Sequence, residues 1–160
     1  MGMRSFRKIP PPEKTKDILQ LQPEETSMTA HVDFATEDQI LIANVSGAWE
    51  KPGDTIAAFS KILAQAESAG LYRVLYLSDM TGRIPTTLEG HFLGQRAAAI
   101  LEPLAVGYVS LQKRDARMEE AIRFVVRVAK NRGLHSELFA DPAEARYWLA
   151  QHSVVPAARR

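Results

Sequence analysis

A chain of 160 residues is long enough for one domain with a sizeable core and too short for two of ordinary size. With 46% hydrophobic and 24% charged residues the composition is that of a folded chain rather than a disordered one. The net charge of +1 provides no overall field toward nucleic acid or an anionic membrane, and the absence of cysteine excludes disulfides, thiolate metal sites and a cysteine nucleophile.

The first residues, with Arg4, Arg7 and Lys8, have the charge of a secretory leader, but Pro10, Pro11 and Pro12 follow where its apolar stretch belongs. No later run approaches the roughly 18 apolar residues of a membrane span, so a cytoplasmic protein is expected. Residues 1–29 read as a disordered tail, with Ile18, Leu19 and Leu21 as an alternative docking segment, and residues 153–160 as a second tail. A single domain is expected over 30–152.

Alternation in His31-Val32-Asp33-Phe34-Ala35 and the apolar run Ile40-Leu41-Ile42-Ala43-Asn44-Val45 predict a hairpin. Gly47 and Pro52-Gly53 end it. Asp54 stands as N-cap of a helix carrying Ile56, Phe59, Ile62, Leu63 and Ala66, which Gly70 closes. Val74-Leu75-Tyr76-Leu77 predicts a buried strand, followed by an exposed loop at Ser78-Asp79-Met80-Thr81-Gly82. Thr86 or Thr87 caps a second helix, with Leu88, Phe92, Ala99 and Ile100 as its apolar positions, and Pro103 stops it.

Leu104-Ala105-Val106-Gly107-Tyr108-Val109 has the continuous apolar character of a strand covered on both faces. Asp115 caps a third helix with Met118, Ala121, Ile122, Val125, Val128 and Ala129 inward, and Gly133 follows its end. After a short strand from His135 to Phe139, Asp141-Pro142-Ala143-Glu144 sets out an N-cap, a proline at the first helical position and the acid of a capping box. The fold class that results is α/β: a mixed, mostly parallel five-stranded sheet with an antiparallel edge hairpin and about four helices.

This order of elements, the strand Val74-Leu75-Tyr76-Leu77-Ser78 and the ending Phe139-Ala140-Asp141-Pro142-Ala143-Glu144-Ala145-Arg146-Tyr147-Trp148-Leu149 resemble the STAS domains, the anti-sigma-factor-antagonist family, in its STAS/SEC14-like subgroup of small bacterial proteins. The resemblance spans about residues 31 to 150. It implies a regulatory domain that binds another protein, or, from the SEC14-like side, a carrier of a lipid or small apolar ligand. The family's phosphorylatable serine, in an Asp-Ser-Ser-Gly context, falls here on Pro85-Thr86-Thr87-Leu88. Thr86 and Thr87 are thus phospho-acceptor candidates by resemblance, and helix caps on the plainer reading.

No phosphate-binding glycine loop and no nucleophile elbow occurs, and the histidines at 31, 91, 135 and 152 lack metal-ligand spacing, so no cofactor, metal site or catalytic residue is assigned. A hydrolase set of Ser78, Asp79 and His91 can be drawn but lacks a recognised spacing. Asp79 draws attention because ligands of open α/β sheets gather at the carboxyl ends of strands. Arg123, Arg127 and Lys130 form a basic stripe with Arg117 and Arg114, and Glu119 offers Arg123 an intrahelical pair. Trp148 reads as a core anchor with Phe139, and Trp49 as the rim of a pocket or interface.

Two functions remain. One is a non-enzymatic regulatory module that meets a protein partner through residues 78–92, its surface made of Ser78, Asp79, Met80, Thr81, Leu88, His91 and Phe92. The other is a carrier or sensor of a small apolar ligand, in a groove lined by Trp49, Met80, Ile84, Leu88 and Phe92. A homodimer suits so small a domain, although no pattern selects its interface.

Overall fold

The computed structural model describes residues 30–112 and 115–152. The expectations for the two tails, for the segment around Ile18 and for Arg114 lie outside the described residues. The elements run β1 (Ala30–Glu37), β2 (Ile40–Trp49), α1 (Pro52–Ala69), β3 (Arg73–Gly82), α2 (Thr87–Leu101), β4 (Ala105–Ser110), α3 (Ala116–Asn131), β5 (His135–Phe139) and α4 (Pro142–Gln151). The strands lie side by side in chain order, β1 antiparallel to β2 and the rest parallel. The architecture is therefore the α/β mixed sheet that the sequence predicts.

Strand periodicity divides the core in two. Leu41, Ala43 and Val45 of β2, Val74 and Tyr76 of β3, and Val106 and Tyr108 of β4 share one face and pack under α1, α2 and α3. Ile40, Ile42, Leu75, Ala105 and Val109 occupy the other face, against Ala145 and Leu149 of α4. Because the strand order never reverses, the sheet has no switch point of the kind that opens a crevice in doubly wound folds. A site must instead come from incomplete helix packing.

Local chemistry sets the helix starts. Asp115 accepts from the Met118 amide, and Asp141 from the Glu144 amide ahead of Pro142. Glu144 reaches past the N-cap to accept from the Ala140 amide, a variant of the expected box. The first helix departs from expectation, starting at Pro52 with Lys51 as N-cap. Proline's fixed φ suits the first helical position, and Asp54 then lies inside the first turn, where its charge still favours the helix dipole.

Two larger corrections concern β3 and α2. The expected exposed loop at 78–82 is strand, because Val45 to Trp49 of β2 continue the parallel pairing with Ser78 to Gly82. Ser78 and Met80 are buried on the three-helix face. In α2 the buried positions are Gly90, Leu93, Gly94, Ala97, Ala98 and Leu101, while Leu88 is 79% and Phe92 44% exposed. Small residues let α2 and α3 approach closely: a Cβ at Gly94 would lie 2.5 Å from Val128 Cβ. Among the described residues no helix is long and apolar enough to cross a membrane.

Candidate functional site

At the carboxyl ends of β2, β3 and β4 the three helices do not close fully on the sheet. A cavity of about 60 Å³ remains between them. Its floor is Tyr76, Ser78 and Met80 of β3 with Tyr108 of β4, and its walls are Phe59 of α1, Leu93 of α2, and Met118, Ala121, Ile122 and Val125 of α3. Trp49, Thr55 and Pro85 complete the rim. The described lining residues include no charged side chain.

The aromatic floor is ordered by ring contacts. Tyr76 and Tyr108, directly opposite in register, have centroids 4.6 Å apart, and Phe59 meets Tyr76 edge-on at 6.3 Å. Burial pushes the pKa of both phenols above the ordinary tyrosine value, and for Tyr108 the neighbouring Tyr76 adds to the rise. Both hydroxyls therefore remain protonated at physiological pH and can donate. Tyr108 Oη and Ser110 Oγ are buried with no hydrogen-bond partner among the described residues.

The rim is tied down from one residue. Trp49 Nε1 donates to Thr55 Oγ1 at 2.7 Å, and the Arg83 guanidinium lies 4.7 Å over the Trp49 ring. Arg83 also donates to the Glu50 carbonyl and, at 2.9 and 2.8 Å, to both carboxylate oxygens of Glu89. Glu89 in turn accepts from the Thr86 amide while Thr86 Oγ1 accepts from the Glu89 amide, a complete capping box. The Arg83 hydrogen bond, before the Thr86 amide, lowers the Glu89 carboxyl from 4.5 to about 2. One network thus joins the end of β2, the turn after β3 and the start of α2.

The structure gathers only part of the predicted site. Trp49, Met80 and Ser78 enter the cavity. Asp79, next to Ser78 on a strand, falls on the opposite face, where its Oδ1 accepts from Gln112 Nε2. Thr81 hydroxyl donates to the Gly47 carbonyl. His91 sits in a shallow groove with Phe124 and Val128 of α3, so Ser78, Asp79 and His91 do not converge. Ile84, Thr86 and Thr87 line an adjoining groove with Arg117, Phe124 and Arg127, which shares Pro85 and Ala121 with the cavity. Leu88 and Phe92 line neither the cavity nor that groove. Of the basic stripe, Arg123 pairs with Glu119 and Glu120, and Lys130 with Glu137. Trp148 packs on Phe139 at 5.5 Å, as an anchor should.

Sequence reasoning missed Tyr76, Tyr108 and Met118 as site residues, having placed them in strand or helix core. A signal was present: Tyr76-Leu77-Ser78 and Tyr108-Val109-Ser110 repeat one pattern at the ends of two successive buried strands. Compared with known proteins, the chain matches no family model and no curated protein.

Proposed function

We propose that this domain is a non-enzymatic binding module that carries or senses a small apolar molecule in the cavity between the sheet and α1, α2 and α3. The observation that carries the reading is a mostly apolar cavity between the sheet and three helices, with Tyr76, Ser78 and Tyr108 in its floor and no charged side chain among its described lining residues. Binding pockets generally combine apolar walls with a few oriented polar groups. Met80 and Met118 add walls that can reshape around an occupant. The test is a thermal-shift screen of small uncharged aromatic and aliphatic compounds against the wild type and Ala121→Phe, which fills the cavity from a half-buried helix position. Stabilisation of the wild type alone is expected. Equal shifts in both proteins, or none in either, would defeat the reading.

A second reading, a regulatory module that meets a protein partner, rests on Leu88 and Phe92, two large apolar side chains exposed one turn apart on α2. It predicts that Leu88→Asp and Phe92→Asp abolish a stoichiometric complex formed by the wild-type chain while leaving ligand-induced shifts intact. A complex that survives both substitutions would remove this reading.

A further inference from the structure

Two shallow grooves meet at Phe124 between α2 and α3. Thr87, Gly90, Arg117, Glu120 and Arg127 line one, His91, Asn131 and Arg132 the other, and Phe124 lines both. The half-buried Phe124 ring packs on bare backbone, since a Cβ at Gly90 would lie 3.0 Å from its Cδ2. Arg117, Arg127 and Arg132 are exposed and form no ion pair among the described residues, whereas Arg83, Arg123, Lys130 and Arg146 are all paired. Glu120, the only acid among the described lining residues, is itself held by Arg123. Uncompensated cations gathered along one groove favour an anionic partner.

Spacing says what kind of anion. The helical rise sets Arg117 and Arg127 about 15 Å apart along α3, and helical side chains lean the same way, so one phosphate or carboxylate cannot meet both. Phe124 falls between them, about 10 Å from the first and about 5 Å from the second. With no exposed aromatic side chain among the described lining residues, the groove lacks the successive stacking platforms that single-stranded nucleic acid uses. We propose that this groove docks an extended acidic peptide segment of a partner protein, with carboxylates on Arg117, Arg127 and Arg132 and an apolar side chain seated on Phe124. A strand advances about 3.3 Å per residue, so about five residues span the first two arginines. Guanidinium forks add geometric selection for carboxylates to the attraction of charge. The proposal goes beyond both functional readings, because it needs neither an occupant in the cavity nor Leu88 and Phe92, which line neither groove.

The test is fluorescence anisotropy of the peptide Glu-Glu-Ala-Leu-Ala-Glu-Glu, which reads alike in both directions, carrying a neutral dye and titrated with the full chain at low salt. Wild type should bind it, and physiological salt should weaken the complex, as exposed charge contacts require. Arg117→Glu with Arg127→Glu, both at exposed positions, should leave the urea midpoint unchanged and weaken binding about tenfold or more. That variant should instead prefer Lys-Lys-Ala-Leu-Ala-Lys-Lys. Replacing the peptide leucine by serine should weaken binding about threefold, through lost apolar burial. Leu88→Ser and Phe92→Ser should leave the affinity within about twofold. No binding to the wild type, equal affinity in the double variant, or tighter binding of an oligothymidine of equal length would overturn the proposal and leave both functional readings standing. Binding lost in Leu88→Ser or Phe92→Ser would overturn it too, and would move the peptide to the surface of the second reading.

Discussion

The two faces of the sheet are built from the same strands and reach opposite ends. Under α4 the packing is closed: a Cβ at Gly107 would lie 3.3 Å from Ala145 Cβ and 3.5 Å from Leu149 Cδ1, so the helix rests on the bare backbone of β4. Under α1, α2 and α3 the same strand turns its next side chain, Tyr108, toward a cavity. The buried hydroxyls without partners among the described residues, Tyr108 Oη and Ser110 Oγ of β4 and Ser136 Oγ of β5, all lie on the three-helix side. One helix can settle wherever the sheet admits it. Three helices must also fit one another, and at Gly94 against Val128 their fit takes precedence over closure on the sheet.

Substitutions can break or sharpen this contrast. The largest effect is expected on the closed face, where Leu149→Ala removes a fully buried side chain and should cost about 3 kcal/mol in urea unfolding. A cost under about 1 kcal/mol would show that α4 is loosely seated. Next comes Gly94→Ala on α2, which forces a methyl group against Val128 and the Val125 carbonyl and should cost about 2 kcal/mol. If it is neutral, the α2–α3 contact does not constrain the three-helix layer.

Tyr108→Phe is expected to go the other way. Removing a buried hydroxyl that has no partner among the described residues should raise the stability of the unliganded protein by about 1 kcal/mol. A loss of stability would mean that the hydroxyl is satisfied within the folded chain. The smallest effect concerns the rim. The Glu89 carboxyl is held down to about 2, below its ordinary 4.5, chiefly by Arg83. Its contribution is therefore complete above about pH 4.5 and fades as the pH falls toward 2. Glu89→Gln should remove that part of the acid dependence and leave the neutral-pH profile flat. An unchanged acid limb would place the sensitivity elsewhere.

Much of the fold is legible in local chemistry. The hairpin follows from alternation, and α3 and α4 announce themselves through Asp115, Asp141 and Pro142. What escaped has a common cause. The extension of β3 to Gly82 depends on pairing with β2, some 33 residues earlier in the chain, and no local pattern in a polar, glycine-containing stretch records a distant partner. The buried face of α2 is written in Gly90, Gly94, Ala97 and Ala98, which carry little apolar signal beside Leu88 and Phe92. The site was half legible for the same reason. Trp49 and Met80 stood out as large side chains near strand ends, whereas Tyr76 and Tyr108 look like core until register places them opposite each other and topology shows which helices stand above them.

The most direct test of the contrast between the two faces is native mass spectrometry of the protein purified from the organism that makes it, set beside its mass under denaturing conditions. A small neutral mass should be retained by the wild type, lost on denaturation and missing from Ala121→Phe. A wild type that carries no added mass, or the same mass held by both proteins, would contradict the assignment of the three-helix face as the binding side.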